Sequence, residues 1–289
     1  MRWNKGRRSR NVVDNRGRKT VGGKGLTLGG IAIVVVLGLM SGQDPLQILG
    51  SLAGQVLQQG GVSSNSTPSP PSATQSQEVQ FVESILGDTE DTWQALFQQL
   101  GKTYQEPKLI LFNHGIRSAC GFADSAVGPF YCPADQQVYL DLSFFQEMQT
   151  RFQAAGEFAQ AYVIAHEVGH HVQTLLGVTA QVNQARRSGQ RVEGANGLLV
   201  RQELQADCLA GVWAHHAQQR HAWLEPGDLE DALNAANAIG DDRLQHQATG
   251  QVTPDSFTHG TSAQRVRWFK QGFTSGQLTQ CDSFSARTL

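Results

Sequence analysis

His166, Glu167 and His170, spaced as H-E-x-x-H within AHEVGHH, carry the sharpest chemistry in this 289-residue chain. Apolar residues recur around them with a helical period, and helix residues four apart share one face. The two imidazoles can therefore converge on a single metal ion. Glu167 falls beside such an ion rather than on it, where a carboxylate can take a proton from water and pass it to a leaving amine. A catalytic zinc takes three protein ligands and keeps a fourth position open. Glu203, in ELQAD and 33 residues after His170, offers the third ligand from a separate predicted helix. Asp207 lies one turn further on the same face, where it can accept the free ring N–H of a zinc-bound histidine and fix its tautomer. One Zn2+ per chain is the expected cofactor. A purely structural zinc would leave Glu167 without a role and would recruit a fourth protein ligand.

The remaining histidines fit a ligand role poorly. His171 is turned about 100° from His170 around the helix. His215 and His216 lie roughly three turns beyond Glu203. Four cysteines, Cys120, Cys132, Cys208 and Cys281, contain no C-x-x-C pair of the kind a cysteine zinc site uses, and an even count suits an oxidising compartment. Of three connectivities, Cys120–Cys132 with Cys208–Cys281 is favoured, because the first two are close in sequence and bracket a Gly-containing turn.

The elements that must position these residues follow from periodicity. An amphipathic helix opens near residue 79, with Asp88 or Thr89 as a candidate cap for a second helical run. KLILFN (108–113) and VYLDL (138–142) have strand patterns, separated by a Gly- and Cys-containing loop. From residue 143 onward the pattern is helical: about 157–176, ending at Gly177; about 196–219; a shorter helix opened by Pro226-Gly227-Asp228; and a last one from about Ser262, itself a candidate cap. A small sheet followed by a helical bulk is an α+β architecture.

Composition, 39% hydrophobic and 17% charged, is that of a globular protein and excludes a largely disordered or many-span membrane chain. Charge is unevenly distributed. Nine of the 23 Lys and Arg fall in the first 25 residues against one acid, Asp14, and the rest of the chain carries a net charge of -10. An uncharged run, LTLGGIAIVVVLGLM, follows at 26–40 and extends through Ser41 and Gly42. The sequence thus predicts a basic cytoplasmic head (1–25), a single transmembrane signal anchor (26–42), a Ser/Thr/Pro-rich linker (43–78) and a catalytic domain (79–289). In that topology the head lies inside, and the domain lies in the periplasm, tethered to the inner membrane. A cleaved signal peptide has a shorter basic region, and the polar residues after Arg7-Arg8 do not suit a twin-arginine signal. The acidic body argues against a nucleic-acid partner.

HEVGHHVQ followed by ELQAD resembles the gluzincin peptidases, in which two histidines and a downstream glutamate hold zinc. More closely, the chain resembles the bacterial neutral zinc metallopeptidase family, through MRWNKGRRSRNVVDNRG, SACGFADSAVGPFYCPADQQVYLDLSFF, the HEVGHH helix, ELQADCLAGVWAHH and SFTHGTSAQRVRWF. The resemblance covers nearly everything except the linker. It implies a zincin-like fold and zinc-dependent hydrolysis of peptide bonds in protein or peptide substrates. It also draws attention to His259 and Arg265, since other gluzincins place an oxyanion-stabilising His or Arg after the ligand glutamate. Equally, His259 can be a loop residue and Arg265 can pair with an acid to pin its helix. By the same resemblance VYLDL is a candidate substrate-binding edge strand, although core packing explains its tyrosine as well. The competing function class is a zinc-binding, non-proteolytic module, for instance an envelope assembly or chaperone-like partner. The residues leave the oligomeric state open.

Overall fold

The computed structural model describes residues 1–16, 73–124, 128–150, 154 and 156–289. Four short strands form one mixed sheet: β1 (Val12–Asp14), β2 (Lys108–Phe112), β5 (Phe130–Cys132) and β6 (Gln137–Asp141), in the order β1-β2-β6-β5. β2 runs parallel to both β1 and β6, whereas β5 is antiparallel to β6. Strand side chains alternate between faces. Leu109, Leu111, Val138 and Leu140 accordingly enter the main core, while Ile110, Phe112 and Tyr139 form a second small cluster with Cys132. Ile116, from the hairpin of β3 (Gly115–Ser118) and β4 (Gly121–Asp124), packs against that second cluster. VYLDL lies between two strands and is not an edge. β5, too short and irregular to read as a strand, takes the outer position.

The helical bulk comprises α1 (Ala73–Gln99), α2 (Ser143–Thr150), α3 (Glu157–Leu175), α4 (Val178–Arg187), α5 (Leu198–His221), α6 (Asp228–Ala238), α7 (Asp241–Thr249) and α8 (Ser262–Ser275). The α+β class is as expected from the sequence. α1 is continuous through Asp88 and Thr89, so neither is a cap. Buried Asp88 instead accepts from Trp213, Arg220 and His221 on α5. The cap of α8 is Thr261, in a capping box with Gln264, rather than Ser262. α3 is buried almost all round, as a central core helix must be. It approaches α5 closely because Gly169, between the two candidate histidine ligands, faces Ala206. A Cβ at Gly169 would lie 3.1 Å from the Ala206 carbonyl oxygen. Both disulfides are Cys120–Cys132 and Cys208–Cys281, the favoured pairing. The first ties the β3–β4 turn to β5, and the second ties α5 to the C-terminal segment.

The N-terminal head is not a separate cytoplasmic segment. Residues 1–16 belong to the same folded unit as the rest of the described chain. Trp3 is buried, edge-on to Phe81, and its indole N–H donates to Glu157 at the start of α3. Arg7 pairs with Glu90 and Asp91, and Ser9 and Asn11 also donate to Glu90. β1 then joins the sheet beside β2. Hydrogen-bonded neighbours cannot lie on opposite sides of a bilayer, so the expected topology, head inside and domain in the periplasm on a single inner-membrane span, is overturned. Of the bases that read as a topology signal, Arg7 pairs with two acids of α1, Arg2 with Glu225 and Arg16 with Asp14. Among the described residues no helix is long and apolar enough to cross a membrane. The apolar run 26–42, and the linker up to residue 72, lie outside the described residues.

Candidate metal centre and active site

The ligand helices α3 and α5 bring His166, His170 and Glu203 together. Nε2 of His166 is 3.2 Å from Oε2 of Glu203, and Nε2 of His170 is 3.4 Å from Oε1. The three donor atoms all lie within 4.8 Å of one another. Each imidazole uses its other nitrogen elsewhere: His166 Nδ1 is 2.9 Å from Oδ1 of Asp207, and His170 Nδ1 is 2.9 Å from Oε1 of Gln173. If both Nδ1 atoms carry the hydrogen, both Nε2 lone pairs face a carboxylate. That arrangement is repulsive unless positive charge lies between them. Burial opposes a proton on His166, yet Asp207 and Glu203 outweigh it and lift the ring to about 10. Burial likewise works to raise Glu203, but His170 and His166 hold it well below the usual carboxylate range. Two imidazole nitrogens and a carboxylate oxygen around a cation-seeking point match the donor chemistry of a catalytic zinc, so the residues fit that ion.

The surrounding shell is specific. Asp207 is completely buried and accepts four hydrogen bonds: from His166, from the Tyr162 hydroxyl at 2.6 Å, and from Nε and Nη2 of Arg265, both at 2.9 Å. Burial pushes its carboxyl up, but Arg265 and His166 prevail and keep it lowered. Arg265 therefore pins its helix through an acid. It reaches Asp207 because α8 lies against α5 at Gly211 and Gly272, where added Cβ atoms would collide with the opposite backbone.

Gln173 is fully buried and cannot flip, since its Nε2 donates to the Gln202 carbonyl and to Oε1 of Gln205. Its oxygen is thereby committed to His170. Gln173→Ala is expected to weaken zinc affinity about 10- to 100-fold in chelator competition, because a second partner that orients a ligand histidine is lost.

Glu167 is 8% exposed, faces the same cleft, and has its carboxyl pushed up by burial against the opposing pull of His166 and His170. The cleft, of about 530 Å³, is also lined by Tyr131 of β5, by His259 and by Arg265. His259 sits in the loop before α8. Oδ2 of Asp241 accepts from the backbone N–H groups of Thr258, His259 and Gly260, while Oδ1 lies 3.1 Å from His259 Nδ1. That hydrogen bond, against the effect of burial, raises the pKa of His259. Asp241 thus fixes both the loop and the ring.

His171, by contrast, faces away from the candidate metal centre. Its Nε2 is 2.6 Å from the Gln105 carbonyl and its Nδ1 is 3.1 Å from the Tyr131 hydroxyl. His215 and His216 bond to the carbonyls of Phe273 and Gly276.

Sequence reasoning missed Tyr162, Gln173 and Asp241. The first two had a usable signal, four residues before His166 and three after His170 on one helix. Asp241 had none, because its partners are backbone groups of a loop 17 to 19 residues away.

The chain is 50% identical over 291 residues to the uncharacterized protein YpfJ of Escherichia coli K12, covering 98% of this chain and 99% of that one. It is 45% identical over 219 residues to the uncharacterized protein Rv2575 of Mycobacterium tuberculosis H37Rv, covering 72% and 73%. No solved structure matches it. A family model described as "Putative neutral zinc metallopeptidase" matches residues 1–284, and the chain belongs to that family.

Proposed function

We propose that the protein is a zinc-dependent peptidase with a zincin-like catalytic arrangement, its Zn2+ held by His166, His170 and Glu203, and Glu167 as general base. The observation that carries this reading is the pair of imidazole Nε2 atoms converging with Glu203 while Asp207 and Gln173 occupy their Nδ1 atoms. Zinc bound there supplies Lewis acidity to a water molecule and to the scissile carbonyl. Glu167 takes a proton from the attacking water and returns it to the leaving amine, a task its raised pKa suits. Asp207 and Gln173 keep the two histidines in the ligating tautomer. His259, held by Asp241, which raises its pKa, donates to the oxygen on which negative charge develops.

The test uses the full chain, because residues 1–16 are part of the fold. Wild type is expected to hold about one zinc and to cleave casein or quenched peptides. A chelator should remove both properties, and added zinc should restore them. His259→Ala should keep its zinc while turnover falls by about 10²-fold, the loss of one oxyanion donor. A zinc-replete wild type that cleaves nothing would replace this reading with the non-proteolytic zinc module.

A further inference from the structure

Three carboxylates line the cleft: Glu147, Glu167 and Glu203. The two on the ligand helices face the imidazoles and have assigned roles. Glu147 is half-buried on α2, and no cation among the described residues pairs with it. A carboxylate in a cleft wall with no partner among the described residues is a charge that a ligand can meet.

Its surroundings narrow the ligand. Phe144 is three residues earlier on α2, on the same side of the helix, and also lines the cleft. Its ring lies against Gly128, where a Cβ would sit 3.3 Å away, so the backbone there is pared to make room for it. Phe130 of β5 also borders the cleft, with its ring stacked on Tyr139 at 4.8 Å. An aromatic side chain beside a carboxylate suits a ligand side chain with an apolar stem and a cationic tip. An α-amino group has the charge without the stem.

Resting on the peptidase reading, we infer that Glu147 is a specificity-determining residue, and that the cleft selects peptides carrying Arg or Lys near the scissile bond. Phe144 flanks the stem, and Glu147 meets the charge.

The experiment measures kcat/KM of the zinc-loaded full chain on N-acetylated quenched peptides in which Arg, Lys, norleucine or Glu is moved through each position around the cleaved bond. Norleucine keeps the stem and removes the charge. At one position wild type should prefer Arg and Lys over norleucine by about tenfold or more, the scale of discrimination one well-placed polar contact provides. Glu147→Gln should bring these peptides to within about threefold of one another, and Glu147→Lys should favour the Glu peptide, since reversing the wall charge reverses which partner is repelled. Glu147→Asp should restore the original order. A preference that survives Glu147→Gln overturns the inference, as does cleavage of the unacetylated counterparts of these peptides alone, which would assign the carboxylate to the α-amine.

A binding arm separates this inference from the peptidase reading. In the zinc-loaded Glu167→Gln protein, a fluorescent Arg-containing peptide should bind about tenfold more weakly once Glu147→Gln is added. If wild type cleaves no peptide, the function fails while this difference still decides the role of Glu147. An unchanged Kd overturns that role.

Discussion

Glu167→Gln is expected to leave about one zinc per chain and to lower kcat on any cleaved peptide by about 10²- to 10⁴-fold. The substitution keeps shape and volume at a position only 8% exposed, so packing on α3 is preserved. It leaves His166, His170 and Glu203 untouched. What disappears is the proton acceptor. The amide can still hydrogen-bond to water but cannot hold the proton between attack and departure of the amine. Burial pushes the Glu167 carboxyl up, while His166 and His170 pull it down. Burial thus makes the carboxyl a better proton carrier between the water and the amine. The measurement is zinc content together with single-turnover cleavage, so that slow product release does not mask the chemical step. A variant that keeps both its zinc and its wild-type rate would remove Glu167 from the mechanism.

The grouping of the candidate ligands was legible in the sequence because its parts are spaced by single helical turns. His166 with His170, and Glu203 with Asp207, are each four residues apart, and a helix converts that spacing into a shared face. How α3 and α5 meet was less legible. It depends on Gly169 against Ala206, a tertiary contact with no local signature. The sheet order was hidden for a similar reason. β1 and β5 have three residues each, too few for alternation to register, so VYLDL looked like an edge although it is flanked on both sides. The basic head misled for an electrostatic reason: a cluster of bases before an apolar run reads as a topology signal until the acids that hold Arg7 against α1 are seen. Glu90 and Asp91 are more than 70 residues away in sequence and one hydrogen bond away in space.

Arg265→Ala is expected to cost about 3–5 kcal/mol of stability, the largest loss predicted for a single side chain outside the hydrophobic core. Arg265 is 2% exposed, and Asp207 is fully buried beneath two of its hydrogen bonds. Removing the guanidinium leaves a carboxylate in the interior without its counter-charge, and the remaining donors, Tyr162 and His166, are a single hydroxyl and a ring nitrogen. Asp207 should respond by binding a proton, which weakens it as an acceptor for His166 Nδ1 and loosens that ring as a ligand. Two readouts should therefore move together: the apo protein should melt roughly 10 °C lower, and the additional stabilisation from zinc should shrink as affinity falls. The double variant Arg265→Met with Asp207→Asn separates the causes. It removes both charges, so it should recover much of the apo stability lost in Arg265→Ala. It should not recover zinc affinity in full, because an amide oxygen orients His166 less strongly than a carboxylate does. Equal losses in the single and double variants would mean that Arg265 acts through packing alone.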